Sequence, residues 1–260
     1  MNRRLTFVPA AALTSLMAVL PSASFAQSVD TELILSFDVS GSISTEEYEL
    51  QRDGYVNAFS LPNIRSAVLG QNGFAIAVQQ WASSAFAPSI SWTNLNSATA
   101  YDQFLIDLGN MSRAGGGGTN VAAGLSAATS QITTNTFTGS KLIIDISGDG
   151  TSNVATTQAA RDAASAAGIT VNGLPIGGAF IDAFYQNNVI TPDGSIYPAA
   201  SFDDFDKAVT AKIQAETGAG PGPTSSVPGP LPLLGVGVAY SFARKIRSRI
   251  KLSTTQAYSM

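Results

Sequence analysis

The stretch ELILSFDVSGS at residues 32–42 joins an apolar run to a loop that is rich in side-chain oxygen atoms. The run, Glu32–Phe37, has no regular polar alternation, which is typical of a strand buried on both faces of a parallel sheet. Ser44 precedes Glu47 by three residues, and this capping-box spacing predicts a helix from Ser44 to about Ser60. The stretch therefore predicts a strand, a loop and a helix, the repeating unit of an α/β fold.

Strand-like and helix-like segments continue to alternate along the chain. Strands are predicted at Ala75–Trp81, Ser89–Trp92, Leu142–Ile146, Thr170–Ile176 and Ser195–Pro198. Helices are predicted at Thr99–Met111, after Asn120 up to about Ile132, and at Thr156–Ala167, Phe180–Asn187 and Phe202–Glu216. This order predicts a Rossmann-like α/β domain with a central, mostly parallel sheet and helices on both faces. Ligands of such sheets bind beyond the carboxyl ends of the strands.

The composition limits the chemistry that the chain can perform. The 260 residues include no cysteine and no histidine, which excludes thiolate metal ligands, a cysteine nucleophile and a histidine base. All 18 acidic residues lie between Asp30 and Glu216, together with only seven basic residues, so that region carries a net charge of −11. Such a region repels nucleic acid and anionic membranes and attracts cations. Any chemistry of this chain therefore depends on oxygen atoms.

Three loops carry clusters of oxygen-bearing side chains. They are Asp38-x-Ser40-x-Ser42, the glycine run 115–118 with Thr119-Asn120, and Ser147-Gly148-Asp149-Gly150. In this order the motifs resemble the DxSxS motif and the two later site loops of von Willebrand factor type A (VWA) domains. The resemblance extends over about residues 30–217. The stretches 184–190 and 201–205 are also similar to a bacterial subfamily of exported VWA-like proteins of unknown function.

The resemblance implies a metal-ion-dependent adhesion site (MIDAS). It implies that Ser40 and Ser42 bind the ion through their hydroxyls and that Thr119 binds it directly or through water. It further implies that Asp38 and Asp149 act mainly through ordered waters. Mg²⁺ is the expected divalent cation, with Mn²⁺ or Ca²⁺ as alternatives, because Mg²⁺ prefers an octahedron of oxygens and keeps part of its water shell. The remaining position on the ion would accept a carboxylate from a partner.

Several of these residues also have simpler interpretations. The DxSxS loop is alternatively a cluster of helix caps, since serine and aspartate favour helix starts. The glycine run lacks the Gly-Lys-Ser/Thr of a P-loop, which disfavours nucleotide binding. Asp145 lies inside an apolar strand and needs a partner. It is a structural hydrogen-bond acceptor, a residue that supports the metal site, or the metal aspartate itself in place of Asp149.

The remaining acidic and aromatic residues have structural interpretations. Asp203, Asp204 and Asp206 are expected in the first turn of the last helix, where the helix dipole favours them. Glu46, Glu47 and Glu49 are expected on a solvated helix face, and the two tryptophans and 13 phenylalanines are expected in the core.

Residues 1–26 have the three parts of a secretory signal peptide. Arg3 and Arg4 form a positive region, Ala10–Leu20 is apolar, and Ser24-Phe25-Ala26 places small residues at the −3 and −1 positions. We expect cleavage after Ala26. The alternative is an uncleaved N-terminal membrane anchor.

The composition changes at Gly218. Residues 218–230 are rich in glycine, proline and serine and are typical of a linker. Residues 231–251 contain an apolar segment of 13 residues, long enough as a helix for only ~20 Å of a ~30 Å hydrocarbon core, and then a basic cluster. The order of parts from Val227 onward resembles a PEP-CTERM sorting tail, which implies recognition and removal by an exosortase. A plain transmembrane anchor is the alternative, and residues 252–260 extend beyond the basic cluster.

Together these features predict an exported binding module of the cell envelope, cell surface or extracellular space, with transient anchoring in the inner membrane. We expect it to engage an acidic group on a protein or matrix polymer through the metal, and an exosortase-type enzyme through the tail. No nucleic-acid partner is expected. The alternative is a structural surface component in which the ion only joins the loops. An enzyme is disfavoured because neither a histidine nor another evident base accompanies the loops.

Overall fold

Five strands form one sheet in the computed structural model, which describes residues 26–220. They are β1 (Gln27–Asp38), β2 (Phe74–Trp81), β3 (Ile90–Asn94), β4 (Phe137–Gly148) and β5 (Ile169–Pro175). Their spatial order is β3-β2-β1-β4-β5. The central strand β1 pairs in parallel with β2 and β4, β4 pairs in parallel with β5, and β3 is antiparallel to β2. This is the mostly parallel sheet that the sequence predicts.

Seven α-helices cover the two faces of this sheet within residues 26–220. They are α1 (Thr45–Ser60), α2 (Pro62–Leu69), α3 (Ala98–Gly109), α4 (Val121–Thr134), α5 (Val154–Ala166), α6 (Ala179–Asn188) and α7 (Phe205–Thr217). Helices α1, α2, α3 and α7 pack on one face, and α4, α5 and α6 pack on the other. The predicted arrangement of helices on both faces is confirmed.

The central strand supplies both cores. Leu33 and Leu35 pack into the cluster under α1 and α7, whereas Ile34 packs into the cluster under α4 and α5. Successive side chains of a strand point to opposite faces, so a run without polar alternation is buried on both sides. Because β1 is held between the two cores, the loop after Asp38 leaves the sheet from a fixed position between the helical layers.

Local signals in the sequence account for the start of α1 and the end of α5. The Ser44 side chain accepts from Glu47 N while the Glu47 carboxylate accepts from Ser44 N, so the predicted capping box is present. Gly168 follows α5 with a φ of 74°, a left-handed conformation that glycine adopts without steric cost. These features depend on neighbours in sequence and are therefore predictable.

Three features differ from the sequence prediction. Helix α2 was not predicted, although Pro62 at its first turn is a recognised start signal. Instead of the predicted strand Ser195–Pro198, Ile196 and Ala199 form isolated parallel bridges to Gly173 of β5 and to Ile176 just after it. A 3-10 helix, Phe202–Asp204, precedes α7, so the predicted last helix is divided in two.

The predicted signal peptide and sorting tail lie outside the described residues, except for Ala26. Cleavage after Ala26, the linker beyond Gly220 and the PEP-CTERM-like tail therefore stay predictions. In the described part of the chain, no helix combines the length and the apolar character needed to cross a bilayer.

Candidate metal centre

The three predicted loops meet at one edge of the sheet. Strands β1 and β4 are parallel neighbours with Phe37 opposite Ser147, so the loops that follow them leave the sheet side by side. The second loop, the glycine run, precedes α4, and Gly41 N donates to Gly117 O at 2.7 Å. Because β2 and β4 lie on opposite sides of β1, this edge is a topological switch point, where open α/β sheets bind ligands.

Four of the five predicted site residues form a continuous cluster. The hydroxyls of Ser40 and Ser42 are 3.2 Å apart. Ser42 Oγ donates to Asp149 Oδ1 at 2.7 Å, and Asp38 Oδ1 accepts from Ser40 N at 2.7 Å. The first and third loops are thus joined through side-chain oxygens.

The fifth predicted residue, Thr119, lies against the third loop. A Cβ added at Gly150 would lie 3.1 Å from Thr119 Oγ1 and 2.9 Å from its Cγ2. Thr119 is half-buried, and Asn120 after it caps α4 by accepting from Ala123 N. Gly150 therefore leaves the space that the threonine side chain occupies beside Asp149.

The donor set fits a hard divalent cation. Asp38 is fully buried, and its Oδ2 has no hydrogen-bond partner among the described residues. Burial raises the pKa of Asp38 to about 7, against the lowering effect of its hydrogen bonds from Ser40, and burial also raises the pKa of Asp149. A nearby cation would offset this cost, because an opposite charge favours the ionised carboxylate. Hydroxyl and carboxylate oxygens are the ligands that Mg²⁺ prefers.

This donor set contains only two carboxylates. Within residues 26–220, no group of three or more histidine, cysteine, aspartate or glutamate side chains could hold a metal ion. An ion at this site would therefore depend on the hydroxyls of Ser40, Ser42 and Thr119 in addition to Asp38 and Asp149.

Arg113, which was not among the predicted site residues, fixes the backbone of the first loop. Its Nη2 donates to Val39 O at 2.9 Å and to Ser40 O at 2.8 Å. The guanidinium thereby fixes two backbone carbonyls of the loop that carries Asp38, Ser40 and Ser42. Arg113 is one of the seven basic residues of the acidic region, and its position two residues before the glycine run was the available signal.

Gln51 supports the site from α1. Its Nε2 donates to Asp38 O at 3.2 Å, and its Oε1 accepts from Ser147 Oγ at 2.7 Å. Gln51 lies between Tyr48 and Tyr55 on the buried face of the helix. A polar residue within an apolar stripe at helical spacing was the signal that could have identified it.

Tyr185 of α6 approaches Asp38 from the face of the sheet opposite to Gln51 and α1. A Cβ at Gly148 would lie 2.7 Å from both Asp38 Oδ2 and Tyr185 Oη. Tyr185 is fully buried and its hydroxyl has no hydrogen-bond partner in the described residues. Burial, with a smaller contribution from the negative charge of Asp38, raises the pKa of Tyr185 well above its usual value. Glycine is required at position 148 because the two oxygens occupy the space of a side chain.

Asp145 does not belong to this cluster. It accepts a 2.6 Å hydrogen bond from Tyr55 Oη and forms a fully buried ion pair with Lys212 of α7. Lys212 Nζ also lies 3.2 Å from Glu216 Oε1. Asp145 is therefore a structural hydrogen-bond acceptor on the face of the sheet that α1 and α7 cover. Asp149 is the aspartate that contacts the serine cluster.

The family model described as "Protein of unknown function (DUF1194)" matches residues 28–220. The chain belongs to the DUF1194 family. No curated protein matches its sequence at a significant level. The match spans β1 to the end of α7 and therefore contains the whole cluster.

Solved structures show that this DUF1194 chain has a Rossmann-like VWA fold. Proximal thread matrix protein 1 from the mussel byssus, solved with a zinc-occupied MIDAS motif, has a TM-score of 0.56 and 16% identity over 72% of this chain and 46% of that chain. The pilus adhesin SpaC from Lactobacillus rhamnosus GG, in its open conformation, has a TM-score of 0.56 and 16% identity over 72% of this chain and 30% of that chain.

A von Willebrand factor type A structure from Catenulispora acidiphila has a TM-score of 0.51 and 14% identity over 73% of this chain and 43% of that chain. The DUF1194 chain thus spans less than half the length of each of these structures, and at these identities the likeness concerns the fold.

Proposed function

We propose that this chain is an exported, divalent-metal-dependent binding module that engages an acidic group on a protein or surface-matrix ligand. The observation that carries the proposal is the cluster of Ser40, Ser42 and Asp149 hydroxyl and carboxylate oxygens beside the orphaned Oδ2 of buried Asp38. All the donor atoms are oxygens, which suits a hard cation. They lie at the carboxyl ends of the strands, where open α/β sheets bind other molecules.

The site residues differ in burial, which would let them hold an ion and still leave one side of it accessible to a partner. Ser40 and Asp38 are buried, whereas Ser42 is exposed and Thr119 and Asp149 are half-buried. The buried members would hold the inner side of an ion, and its outer side would face solvent. When bound, the ion supplies an electrophilic position for a carboxylate oxygen of the partner. Asp38 and Asp149 would act mainly through ordered waters, so an ion held directly by hydroxyls would keep positive character.

Mg²⁺ is the cation that we propose, since every donor is a hard oxygen atom. Mn²⁺ and Ca²⁺ accept the same ligands and are the alternatives. The mussel byssus protein was solved with zinc in its MIDAS motif, which supports a divalent ion in this fold. Zinc is therefore a useful competitor in binding measurements.

Hydrogen bonds within the protein favour binding over a purely structural use of the ion. Gly41 N donates to Gly117 O, Arg113 donates to two carbonyls of the first loop, and Ser42 donates to Asp149. These hydrogen bonds thus join the loops directly. A metal that only joined the loops would add little to their stability. A metal that contacts a partner would have a function that these hydrogen bonds cannot supply.

We further propose that the chain is not an enzyme, because the cluster contains no histidine and because Asp149, the carboxylate that contacts a serine hydroxyl, is engaged by that hydroxyl. Export and a surface or extracellular location follow from the predicted signal peptide and sorting tail. The structures with a similar fold include a byssus thread matrix protein and a pilus adhesin. An exosortase-type enzyme is the proposed partner of the tail.

Isothermal titration of the full-length protein with Mg²⁺, Mn²⁺ and Ca²⁺ tests the metal site directly. We expect one site per chain in the wild type and no binding heat in Asp38→Ala, with Asp53→Ala, an exposed aspartate of α1, as the matched control. Thermal melting with EDTA should then give a lower Tm than melting with saturating metal, because a ligand of the native state stabilises it. Absence of binding by the wild type would refute the proposal. A metal-dependent Tm with no carboxylate ligand that EDTA releases would favour the structural component instead.

A further inference from the structure

An open groove adjoins the proposed metal centre. It has a volume of about 450 Å³ and shares Asp149 with the metal cluster. Buried Ile176 and Phe202 form an apolar floor, and Phe180 and Glu47 lie on its border. A partner whose carboxylate reaches the metal centre therefore has an adjoining space for a neighbouring side chain.

Phe180 departs from the expectation that the phenylalanines lie in the core. It is 75% exposed, the largest exposed fraction among the large hydrophobic side chains of the described region. Gly177 and Gly178, with φ of 113° and 90°, turn the chain from β5 into α6, which begins at Ala179. This turn places Phe180 in the first turn of α6, away from the buried Phe184 and at the edge of the groove.

The groove carries negative charge. Glu47 and Asp149 line it, and no lysine or arginine belongs to its described lining. Glu47 Oε2 accepts from Ser44 N at 2.8 Å, which anchors that carboxylate at the border of the groove. The 3-10 helix that follows Ser201 adds exposed Asp203 and Asp204 close by in sequence. A densely anionic polymer would be repelled here, whereas a cationic side chain would be attracted.

We propose that the ligand is a peptide segment with one carboxylate for the metal, an aromatic or large aliphatic side chain for the Phe180 groove, and a lysine or arginine near Glu47. The inference rests on the proposed metal-dependent binding and specifies its ligand class. Three features support it: an apolar floor, an exposed aromatic ring and an acidic border, all continuous with Asp149. Aromatic contacts and charge complementarity are the usual sources of affinity and specificity in such a site.

A bead-displayed peptide library tests this proposal. Each peptide carries one fixed aspartate with three randomised positions on each side, and full-length protein selects from it in Mg²⁺ and in EDTA. We expect Mg²⁺-dependent enrichment of aromatic or large aliphatic residues at one spacing from the aspartate, together with lysine or arginine. Peptides in which the fixed residue is asparagine should not be enriched, and polyglutamate should compete poorly.

Variants assign the enrichment to the groove. Phe180→Ala should weaken the best peptide about tenfold, a typical effect for an aromatic anchor. Glu47→Gln keeps a capping-box residue and should remove the preference for lysine or arginine. Ile106→Ala, an exposed apolar position on α3, should change neither. All three variants should bind Mg²⁺ with wild-type affinity by titration.

The outcomes separate this inference from the proposed function. Mg²⁺-dependent selection of aspartate with no preference at neighbouring positions, or the same preference in Phe180→Ala, overturns the ligand class and leaves metal-dependent binding intact. Enrichment of acidic runs overturns it as well. No metal-dependent selection at all, with no Mg²⁺ binding by titration, overturns both.

Discussion

Ser42 Oγ donates a 2.7 Å hydrogen bond to Asp149 Oδ1 across 107 positions of sequence. The bond directs the serine proton toward the carboxylate, so the oxygen lone pairs of Ser42 remain available to a cation. Asp149 thereby orients the Ser42 hydroxyl. The arrangement would fix the hydroxyl ligands of a metal site that has few carboxylates.

Ser42→Ala tests this arrangement. We expect it to weaken Mg²⁺ binding at least about tenfold, a loss of about 1.4 kcal/mol, because it removes one hydroxyl ligand and leaves Asp149 without its partner. The Tm in EDTA should change little, since Ser42 is exposed. Titration calorimetry measures the affinity, and Ser91→Ala, an exposed serine on β3, is the control. Equal Mg²⁺ affinity in the two variants would exclude Ser42 as a ligand.

Gly148→Ala should destabilise the protein and disturb the site together. Its Cβ would lie 2.7 Å from Asp38 Oδ2 and from Tyr185 Oη, and both side chains are fully buried. Such overpacking costs about 1–3 kcal/mol. Urea unfolding measures the loss, and Gly109→Ala, whose Cβ would meet only Val56 at 3.9 Å, is the matched control. A Gly148→Ala protein as stable as Gly109→Ala would contradict the close approach of Asp38 and Tyr185.

Lys212→Met should lower the free energy of unfolding by about 3–5 kcal/mol, because it leaves the buried carboxylate of Asp145 without its cation. Adding Asp145→Asn to this variant should recover part of the loss, since Asn keeps an acceptor for Tyr55 and carries no charge. Urea unfolding of the single and double variants measures both effects. If the second substitution lowers stability further by its full single-variant cost, the two residues are not coupled.

The pH dependence of the free energy of unfolding should reveal the ionisation of Glu216. Burial raises its pKa to about 8 from 4.5, and neighbouring Lys212 opposes this shift only in part. The folded protein therefore keeps a proton that the unfolded chain releases, so stability falls as pH rises from about 4.5 to about 8, by at most about 1.4 kcal/mol per pH unit. Asp38 contributes with the same sign up to about pH 7.

Glu216→Gln isolates this contribution in EDTA. Between pH 7 and 8 Asp38 completes its ionisation, so the unfolding free energy of the variant should fall only slightly and level off, while that of the wild type continues to fall. Urea midpoints at half-unit intervals provide the measurement. Parallel curves for the two proteins over this window would show that Glu216 is not the titrating group.

A fragment of residues 27–220 should retain the fold and the metal affinity of the full chain. Both cores close within it, and its end is anchored because Asn63 Nδ2 donates to Gly220 O and Lys141 Nζ donates to Glu216 O. Circular dichroism and Mg²⁺ titration compare it with the full-length protein. A fragment ending at residue 211 lacks Lys212 and should not fold cooperatively, and equal Tm values for the two fragments would contradict the importance of the end of α7.

The fold was largely predictable because its signals are local. The apolar run before Asp38, the capping box of Ser44 and Glu47, and the glycine after α5 act through neighbours in sequence. Strand and helix order then restricts a parallel sheet to few arrangements. The same order predicts that the loops after β1 and β4 share one edge, which is why the predicted site residues lie together. Pro62 is an equally local signal for the start of α2.

The sequence by itself determined the α/β architecture, the acidic and histidine-free chemistry, and the loops from which the site is built. Only the tertiary structure decided that Asp145 pairs with Lys212, that Arg113 holds the first loop, and that Phe180 faces solvent beside Asp149. The physical reason is range. Caps and periodicity depend on residues a few positions apart, whereas an ion pair or a groove depends on which distant elements pack together, and packing is decided by the whole core.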